Sequence, residues 1–330
     1  LGITPFNFPV NLAAHKLAPA IAVGAPIVLK PAPATPLSGL FLGELLAETQ
    51  LPAGAFSILT VPNERAGALA ADPRLPVVSF TGSGPVGWAL REANPRKHVL
   101  LELGGNAGVL VCPDADLDRA ADRIATFATY QAGQSCISVQ RVFVDRSSYA
   151  DFVDRLAVAV EQLPVGDPWD EATVVGPMIS EQAAVRVEDW IAEAVAAGAR
   201  LRTGGRRVGA TLSPTVILDA PEDAKVVREE VFGPVVVVAA CEDVDDGLRR
   251  INDSRYGLQA GVFTRDLQVA FRAHRELDVG GVIIGDVPSW RADQMPYGGT
   301  KESGAAREGV HAAMVDLTEE RVLVLTGIDL

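Results

Sequence analysis

The chain has 330 residues, 48% hydrophobic and 22% charged, with 29 Lys plus Arg against 42 Asp plus Glu for a formal charge of −13. That length exceeds one core of ordinary size, so two domains, or one large domain with a lobe, are expected; a wholly disordered chain and a small stapled module are both excluded. The acidic balance, with no block rich in Lys and Arg, argues against nucleic acid as a partner, and the apolar stretches 17–29 and 231–241 are too short and too broken by Gly or Pro to cross a membrane as helices.

From residue 27 to 103, short β-branched runs (27–29, 56–61, 77–80, 99–103) alternate with segments of helical periodicity (36–49, 65–71, 86–93). This is βαβ repetition and implies a parallel sheet covered by helices. Thr35 before Pro36 reads as a helix start, the hydroxyl placed to cap free N–H groups and the proline suited to the first turn. Pro85 repeats the device after Gly84. A second α/β region opens at Gly104-Gly105, with helical patterns over 116–130, 149–163 and 181–197 and strands over 141–144, 235–239 and 282–284. The run 321–326, RVLVLT, reads as a final strand with no local partner.

Two local patterns carry chemistry. Gly82, Gly84 and Gly87 stand in G-x-G-x-x-G spacing between a strand and a helix, where free N–H groups could hold a pyrophosphate, and Glu102 lies where a dinucleotide fingerprint places its ribose carboxylate. A tight glycine turn without a ligand remains the other reading. Cys136 sits in the polar turn Gln131-Ala132-Gly133-Gln134-Ser135-Cys136-Ile137, where backbone N–H groups could stabilise a thiolate nucleophile. Cys112 and Cys241 read as buried thiols, and three scattered cysteines favour a reducing, cytoplasmic setting. His15, His98, His274 and His311 give no support for a Cys–His pairing.

Several further stretches occur in one order: Ile3-Thr4-Pro5-Phe6-Asn7-Phe8-Pro9, Val28-Leu29-Lys30-Pro31, Phe80-Thr81-Gly82-Ser83, Glu102-Leu103-Gly104-Gly105, Gly133-Gln134-Ser135-Cys136, Glu230-Val231-Phe232-Gly233-Pro234, and Pro296-Tyr297-Gly298-Gly299 followed by Lys301 and Ser303-Gly304. Together they resemble the aldehyde dehydrogenase superfamily over essentially the whole chain. The resemblance implies a partial Rossmann-like cofactor domain (1–103), an α/β catalytic domain (104–308) and a return segment with an oligomerisation strand (309–330), in a chain lacking the family's usual N-terminal portion. It also moves Glu102 from ribose binding to catalysis. Cys136 becomes the nucleophile, Asn7 and the Cys136 N–H the oxyanion donors, and Glu102 the base that activates water to open a thioester. Lys30, Thr81, Gly82, Ser83, Glu230 and Phe232 are implied around the cofactor.

The family position that often carries a ribose-binding Glu is Pro33 here, so NADP is admissible beside NAD, with Lys30 available to a 2′-phosphate. Around the aldehyde's tail the resemblance places Phe8, Asn11, Leu12, His15, Tyr130, Ile137 and Arg291. His15 and Arg291 together suggest a short polar or anionic aldehyde, such as a semialdehyde, a hydroxyaldehyde or a sulfo-aldehyde. The plainer readings are an Arg291–Asp293 surface pair and a helix-face His15. Asn106, Gly285 and Ala306 depart from residues common in the family. A homodimer or homotetramer is expected. The competing functions are a truncated, catalytically silent relative acting as an assembly module, a CoA-acylating relative, and an ordinary alcohol or hydroxyacid dehydrogenase.

Overall fold

The structure is a computed structural model that describes residues 1–328. Its first unit runs β1 (Gly2–Ile3), α1 (Asn11–Ala22), β2 (Ile27–Lys30), α2 (Pro36–Ala47), β3 (Phe56–Ile58), α3 (Ala66–Ala71), β4 (Val77–Thr81), α4 (Gly84–Ala93) and β5 (His98–Glu102). These strands form one all-parallel sheet in the order β3-β2-β1-β4-β5. Alternation sorts the side chains: Ile27 and Leu29 pack with Ala13, Leu17 and Ala20 of α1, whereas Val28 joins Val78, Phe80 and Leu101 on the other face. The order reverses direction beside β1, and the loops that leave β1, β4 and β5 open at that switch point, where α/β sheets place their ligands.

The second unit continues with β6 (Ala107–Val111), α5 (Leu117–Thr129), β7 (Val139–Asp145), α6 (Tyr149–Glu161), α7 (Glu181–Ala196), β8 (Arg200–Thr203), β9 (Arg207–Val208), β10 (Thr211–Leu212), β11 (Thr215–Leu218), α8 (Lys225–Arg228), β12 (Val235–Cys241), α9 (Val244–Asn252), β13 (Tyr256–Gly257), β14 (Gln259–Phe263), α10 (Leu267–Glu276), β15 (Gly281–Ile284), β16 (Thr300–Lys301) and α11 (Val310–Asp316). Its main sheet has the order β15-β14-β6-β7-β12-β11-β8, parallel except where β8 pairs antiparallel with β11. The central strands are continuous apolar runs, AGVLV in β6 and VVVV at the start of β12, as burial on both faces requires. Ile124, Phe152 and Leu156 of α5 and α6 cover one face, and Leu248, Ile251 and Ala273 of α9 and α10 cover the other. Asp116, Ser180 and Asp243 cap α5, α7 and α9 through their side chains.

The chain then returns to the first unit. Ser303 O accepts from Leu103 N–H at 2.9 Å, Ala305 N–H donates to Leu101 O at 2.9 Å, and Leu317, just beyond α11, packs into the core under α1.

Two expectations are corrected. Thr35 occupies the N-cap of α2 but makes no side-chain cap bond, and its hydroxyl is buried without a partner, so Pro36 alone shapes that start. No strand forms over 321–326, because no ladder partner lies alongside it among the described residues; Val322 is 90% and Leu323 82% exposed.

Arg141 of β7 ties this unit to the approach of the site. Its buried guanidinium donates to Asn106 Oδ1 at 2.8 Å, Arg250 O at 2.9 Å and Ile251 O at 3.1 Å, while Asn106 Nδ2 donates to Val227 O at 2.7 Å. Replacing Arg141 with Met keeps the stem and strands those acceptors, so unfolding should become easier by about 2–4 kcal/mol. Urea denaturation measures this, and an unchanged midpoint would refute the bracing role.

Candidate active site

The turn that carries Cys136 is built on unfavourable backbone. Gln131 (φ 55°), Ala132 (φ 53°) and Gly133 (φ 69°) are consecutive left-handed residues, each non-glycine costing about 1–2 kcal/mol. Side-chain amides hold the turn: Gln131 Nε2 donates to Asn7 O at 2.5 Å, Gln134 Nε2 to Gln131 O at 3.0 Å, and Gln134 Oε1 accepts from Ile179 N–H at 2.8 Å. Two glycines make room for it. A Cβ on Gly105 would stand 2.2 Å from the Cys136 carbonyl oxygen, and one on Gly133 would stand 2.0 Å from that of Gly233.

Cys136 opens into a cavity of about 440 Å³ with Asn7, Phe8, Asn11 and Leu12 from the β1–α1 segment, Thr81, Gly82 and Ser83 after β4, and Glu102 at the end of β5. Tyr130, Ser135, Ile137, Glu230, Phe232, Ser289, Arg291 and Tyr297 complete the wall with Arg186 and Glu308. Most of the residues singled out from the sequence therefore share one space. Lys30 does not line it: its ammonium is sealed in, donating to Asn63 Oδ1 at 2.9 Å. His15 lines a second cavity of about 400 Å³, and its Nδ1 lies 2.9 Å from Glu308 Oε2.

Arg291 makes a different pair from the surface one with Asp293. Its guanidinium lies 3.7 Å from Glu308 Oε2 and 3.9 Å from the Tyr297 ring centre. Glu308 is thus a buried carboxylate with His15, Lys16 and Arg291 around it, Lys16 Nζ standing 4.0 Å from Oε1 and donating to Ser79 Oγ at 2.8 Å. Burial alone would raise its pKa, but these three groups outweigh burial and hold it below the usual carboxylate range. Glu102 goes the opposite way. Burial first, and then the Glu308 charge, push it well above that range, and neither of its oxygens has a hydrogen-bond partner. Two neighbouring carboxyls forced apart in this manner mark one as a charge anchor and the other as a proton carrier. Both line both cavities.

Cys136 departs from expectation. Burial pushes its thiol up to about 12, only partly offset by the Tyr297 hydroxyl 2.9 Å from Sγ. Asn7 Nδ2 donates to Gln134 O at 2.9 Å, which leaves one amide hydrogen for another acceptor. The resting group is a thiol. Glu230, pushed up to about 7 by burial, accepts from Gly105 N–H at 2.9 Å, and Phe232 (φ 49°) stacks edge-on against Phe6 at 6.0 Å.

Tyr297, Glu308, Lys16 and Arg186 were not singled out from the sequence. Lys16 carried a signal, a lone charge among the apolar residues of 12–21. Tyr297 and Glu308 stood inside or beside motifs whose glycines drew the attention.

The residues fit a dinucleotide. Ser83 precedes α4 without capping it, which leaves the helix N–H groups free, and the buried Thr81 hydroxyl has no partner. An α/β protein with a cysteine and a buried carboxyl at a dinucleotide-sized cleft is thereby defined, and the chain belongs to the aldehyde dehydrogenase family, whose model matches residues 1–323. It is 47% identical over 324 residues to the 3-sulfolactaldehyde dehydrogenase of Priestia megaterium, covering 98% of this chain and 68% of that protein. Aldehyde dehydrogenase 21 from Physcomitrella patens, solved with the reaction product succinate, superposes with a TM-score of 0.96 at 49% identity, covering 99% of this chain and 69% of that one. Solved relatives hold NAD+ (Mycobacterium tuberculosis aldehyde dehydrogenase, TM-score 0.94, 35% identity, 100% and 69% covered) or NADP (Methanocaldococcus jannaschii glyceraldehyde-3-phosphate dehydrogenase, TM-score 0.92, 36% identity, 96% and 70% covered). The cofactor is NAD or NADP. No helix among the described residues is long and apolar enough to cross a membrane.

Two titrations follow. With a thiol pushed up to about 12, alkylation of Cys136 by iodoacetamide should accelerate about tenfold per pH unit from 7 to 10, while Cys112 and Cys241, 2% and 1% exposed, react only after unfolding. Peptide mapping reads this, and a plateau near pH 8.5 would refute it. Because the folded state holds the Glu102 proton above the unfolded pKa, the native form binds more protons over that window, and the Glu102 contribution to stability falls as pH rises. Glu102→Gln should therefore gain thermal stability over the wild type as pH goes from 4 to 8, and a constant difference in melting temperature would contradict the shift.

Proposed function

We propose that this chain oxidises a small polar or anionic aldehyde to its carboxylic acid with NAD or NADP, through a covalent adduct on Cys136. The observation that carries the reading is the convergence of the Cys136 thiol, the unpartnered Glu102 carboxyl and the Asn7 amide on one cavity that also holds Arg291. Thr81, Gly82, Ser83, Glu230 and Phe232 would hold the dinucleotide, whose nicotinamide, when bound, accepts the hydride from the reacting carbon.

The chain's own groups supply the rest. Cys136 Sγ forms the bond to the carbonyl carbon, and the remaining Asn7 amide hydrogen and the Cys136 N–H meet the oxyanion. With the thiol resting protonated, its proton must leave as the bond forms. Glu102, whose two oxygens have no hydrogen-bond partner, in its carboxylate form takes the proton from sulfur, gives it up to solvent, and then takes one from the water that opens the thioester. The charges of Lys16 and Glu308 act on Glu102 in opposite directions, Lys16 favouring its carboxylate and Glu308 its protonated form. The presence of Glu102 favours water over CoA as the acyl acceptor, and the intact nucleophile and base disfavour a silent assembly module.

Arg291 supports an anionic tail, because its planar fork matches a carboxylate or sulfonate. The names of the Priestia relative and of the product bound by the Physcomitrella relative point the same way. The exposed apolar run 321–328 supports association of two or four copies, and three unpaired cysteines suit the cytoplasm.

The test is reduction of NAD+ and NADP+ by a panel of aldehydes, with and without CoA. Small anionic aldehydes should be oxidised without CoA, and turnover that requires CoA, or a preference for long aliphatic aldehydes, would overturn the reading. Arg291→Leu should raise KM for succinic semialdehyde by about 10–100-fold while changing that for butanal far less, the pattern of lost ground-state binding. An equal rise for both aldehydes would remove Arg291 from tail recognition.

A further inference from the structure

Among the described residues, Cys136 Sγ has a single hydrogen-bond partner, the Tyr297 hydroxyl at 2.9 Å, and that hydroxyl has no partner other than the sulfur. The phenol is held there from several sides. Its buried ring packs with Ile137 and Leu258, and the Arg291 guanidinium lies 3.9 Å from the ring centre. Its backbone exchanges two hydrogen bonds with Glu308, Tyr297 N–H donating to Glu308 O at 2.9 Å and Glu308 N–H to Tyr297 O at 2.6 Å. In the resting thiol either partner can donate. A thiolate has no hydrogen, so once the proton leaves sulfur the contact can only be O–H donating to S⁻. Burial and the neighbouring Cys136 keep the phenol protonated, so it still has a hydrogen to give. A hydrogen bond to a charged acceptor is about twice as strong as one between neutral groups. The contact therefore strengthens as sulfur ionises, which is the kind of interaction that accelerates a reaction.

We propose that Tyr297 is a catalytic residue of this chain, its hydroxyl donating to the Cys136 sulfur each time that sulfur carries negative charge. This happens twice in one turnover. The first occasion is the loss of the thiol proton to Glu102 as the bond from sulfur to the carbonyl carbon forms. The second is the opening of the thioester: water adds to the acyl carbon, the carbon–sulfur bond breaks, and its electron pair returns to sulfur, which is then protonated by Glu102 with the proton taken from the water. Between the two, sulfur is bonded to carbon, uncharged and a weak acceptor. Tyr297 gives up no proton and forms no covalent bond, and it lowers the cost of separating sulfur from its proton in a buried place.

The proposal rests on the aldehyde-oxidising reading and deepens it. Its first test needs neither aldehyde nor dinucleotide. Tyr297→Phe keeps the ring beneath Arg291 and removes only the donor. Loss of one hydrogen bond to a charged sulfur should cut the thiolate fraction about 10–100-fold. The more basic sulfur recovers roughly the square root of that in nucleophilicity, so iodoacetamide alkylation of Cys136 should be about 3–10-fold slower at each pH from 7 to 10, with the same slope. Cys112 and Cys241 are the folding control, because they react only if the chain opens. In the folded variant kcat/KM for the aldehyde should fall by a similar factor while the Kd for the dinucleotide stays the same. Should Tyr297→Phe fail to fold, Tyr297→3-fluorotyrosine, a more acidic phenol of nearly the same size, should speed alkylation by about twofold. Alkylation unchanged or faster in the Phe variant, or unchanged or slower in the fluorinated one, would overturn Tyr297 and leave aldehyde oxidation standing. No cofactor reduction by the wild type with any aldehyde would overturn the aldehyde-oxidising reading and the catalytic role with it.

Discussion

The site depends on the approach of two backbones. Cys136 stands where it does because the chain at Gly105 comes so close to the Cys136 carbonyl that any side chain there would occupy the same space, and Gly133 meets Gly233 in the same way. These contacts lock the Cys136 turn between the segment that follows β5 and the segment that precedes β12. Glu102 is three residues before Gly105 and Glu230 three before Gly233, so the same contacts that place the thiol also place a carboxyl on either side of it. The left-handed run 131–133 is the conformational cost of that fit, and the amides of Gln131 and Gln134 hold it in place.

Legibility in the sequence followed the range of the interactions. The strands 77–81 and 98–102 and the helices beginning at Pro36 and Leu117 were readable because β-branching, proline and an Asp cap act within a few residues. The helix α1 was not read as an element. It starts at Val10 with no side-chain cap and contains Pro19, so both local signals point away from a helix that tertiary packing of Ala13, Leu17 and Ala20 stabilises. Arg321–Thr326 shows the converse, since a pattern suited to a strand forms no ladder within a chain that offers it no neighbouring edge.

The same distinction applies inside the site. Asn7, Glu102 and Cys136 came from short ordered motifs, and their meeting in one cavity agrees with the resemblance that named them. Tyr297 reaches Cys136 across 161 positions and Glu308 reaches His15 across 293, and no local pattern encodes either contact. The balance of effects at the Cys136 thiol was out of view for the same reason. The turn looks able to stabilise an anion, yet the burial that outweighs it comes from distant segments closing over the sulfur. An uncharged sulfur is a poor target for stray oxidants and electrophiles until proton removal switches it on.

Glu102 and Glu308 each line both cavities, so each carboxyl side chain borders two spaces at once. Anything filling the Cys136 side, an aldehyde together with a dinucleotide, blocks that entrance to solvent. Water arriving through the other side meets Glu102 without passing either guest. A carboxyl that can hold a proton thus stands where two spaces meet. Pro19, Leu75 and Leu100 line the far cavity and not the one that holds Cys136, so that cavity can be reshaped without replacing a residue of the Cys136 wall.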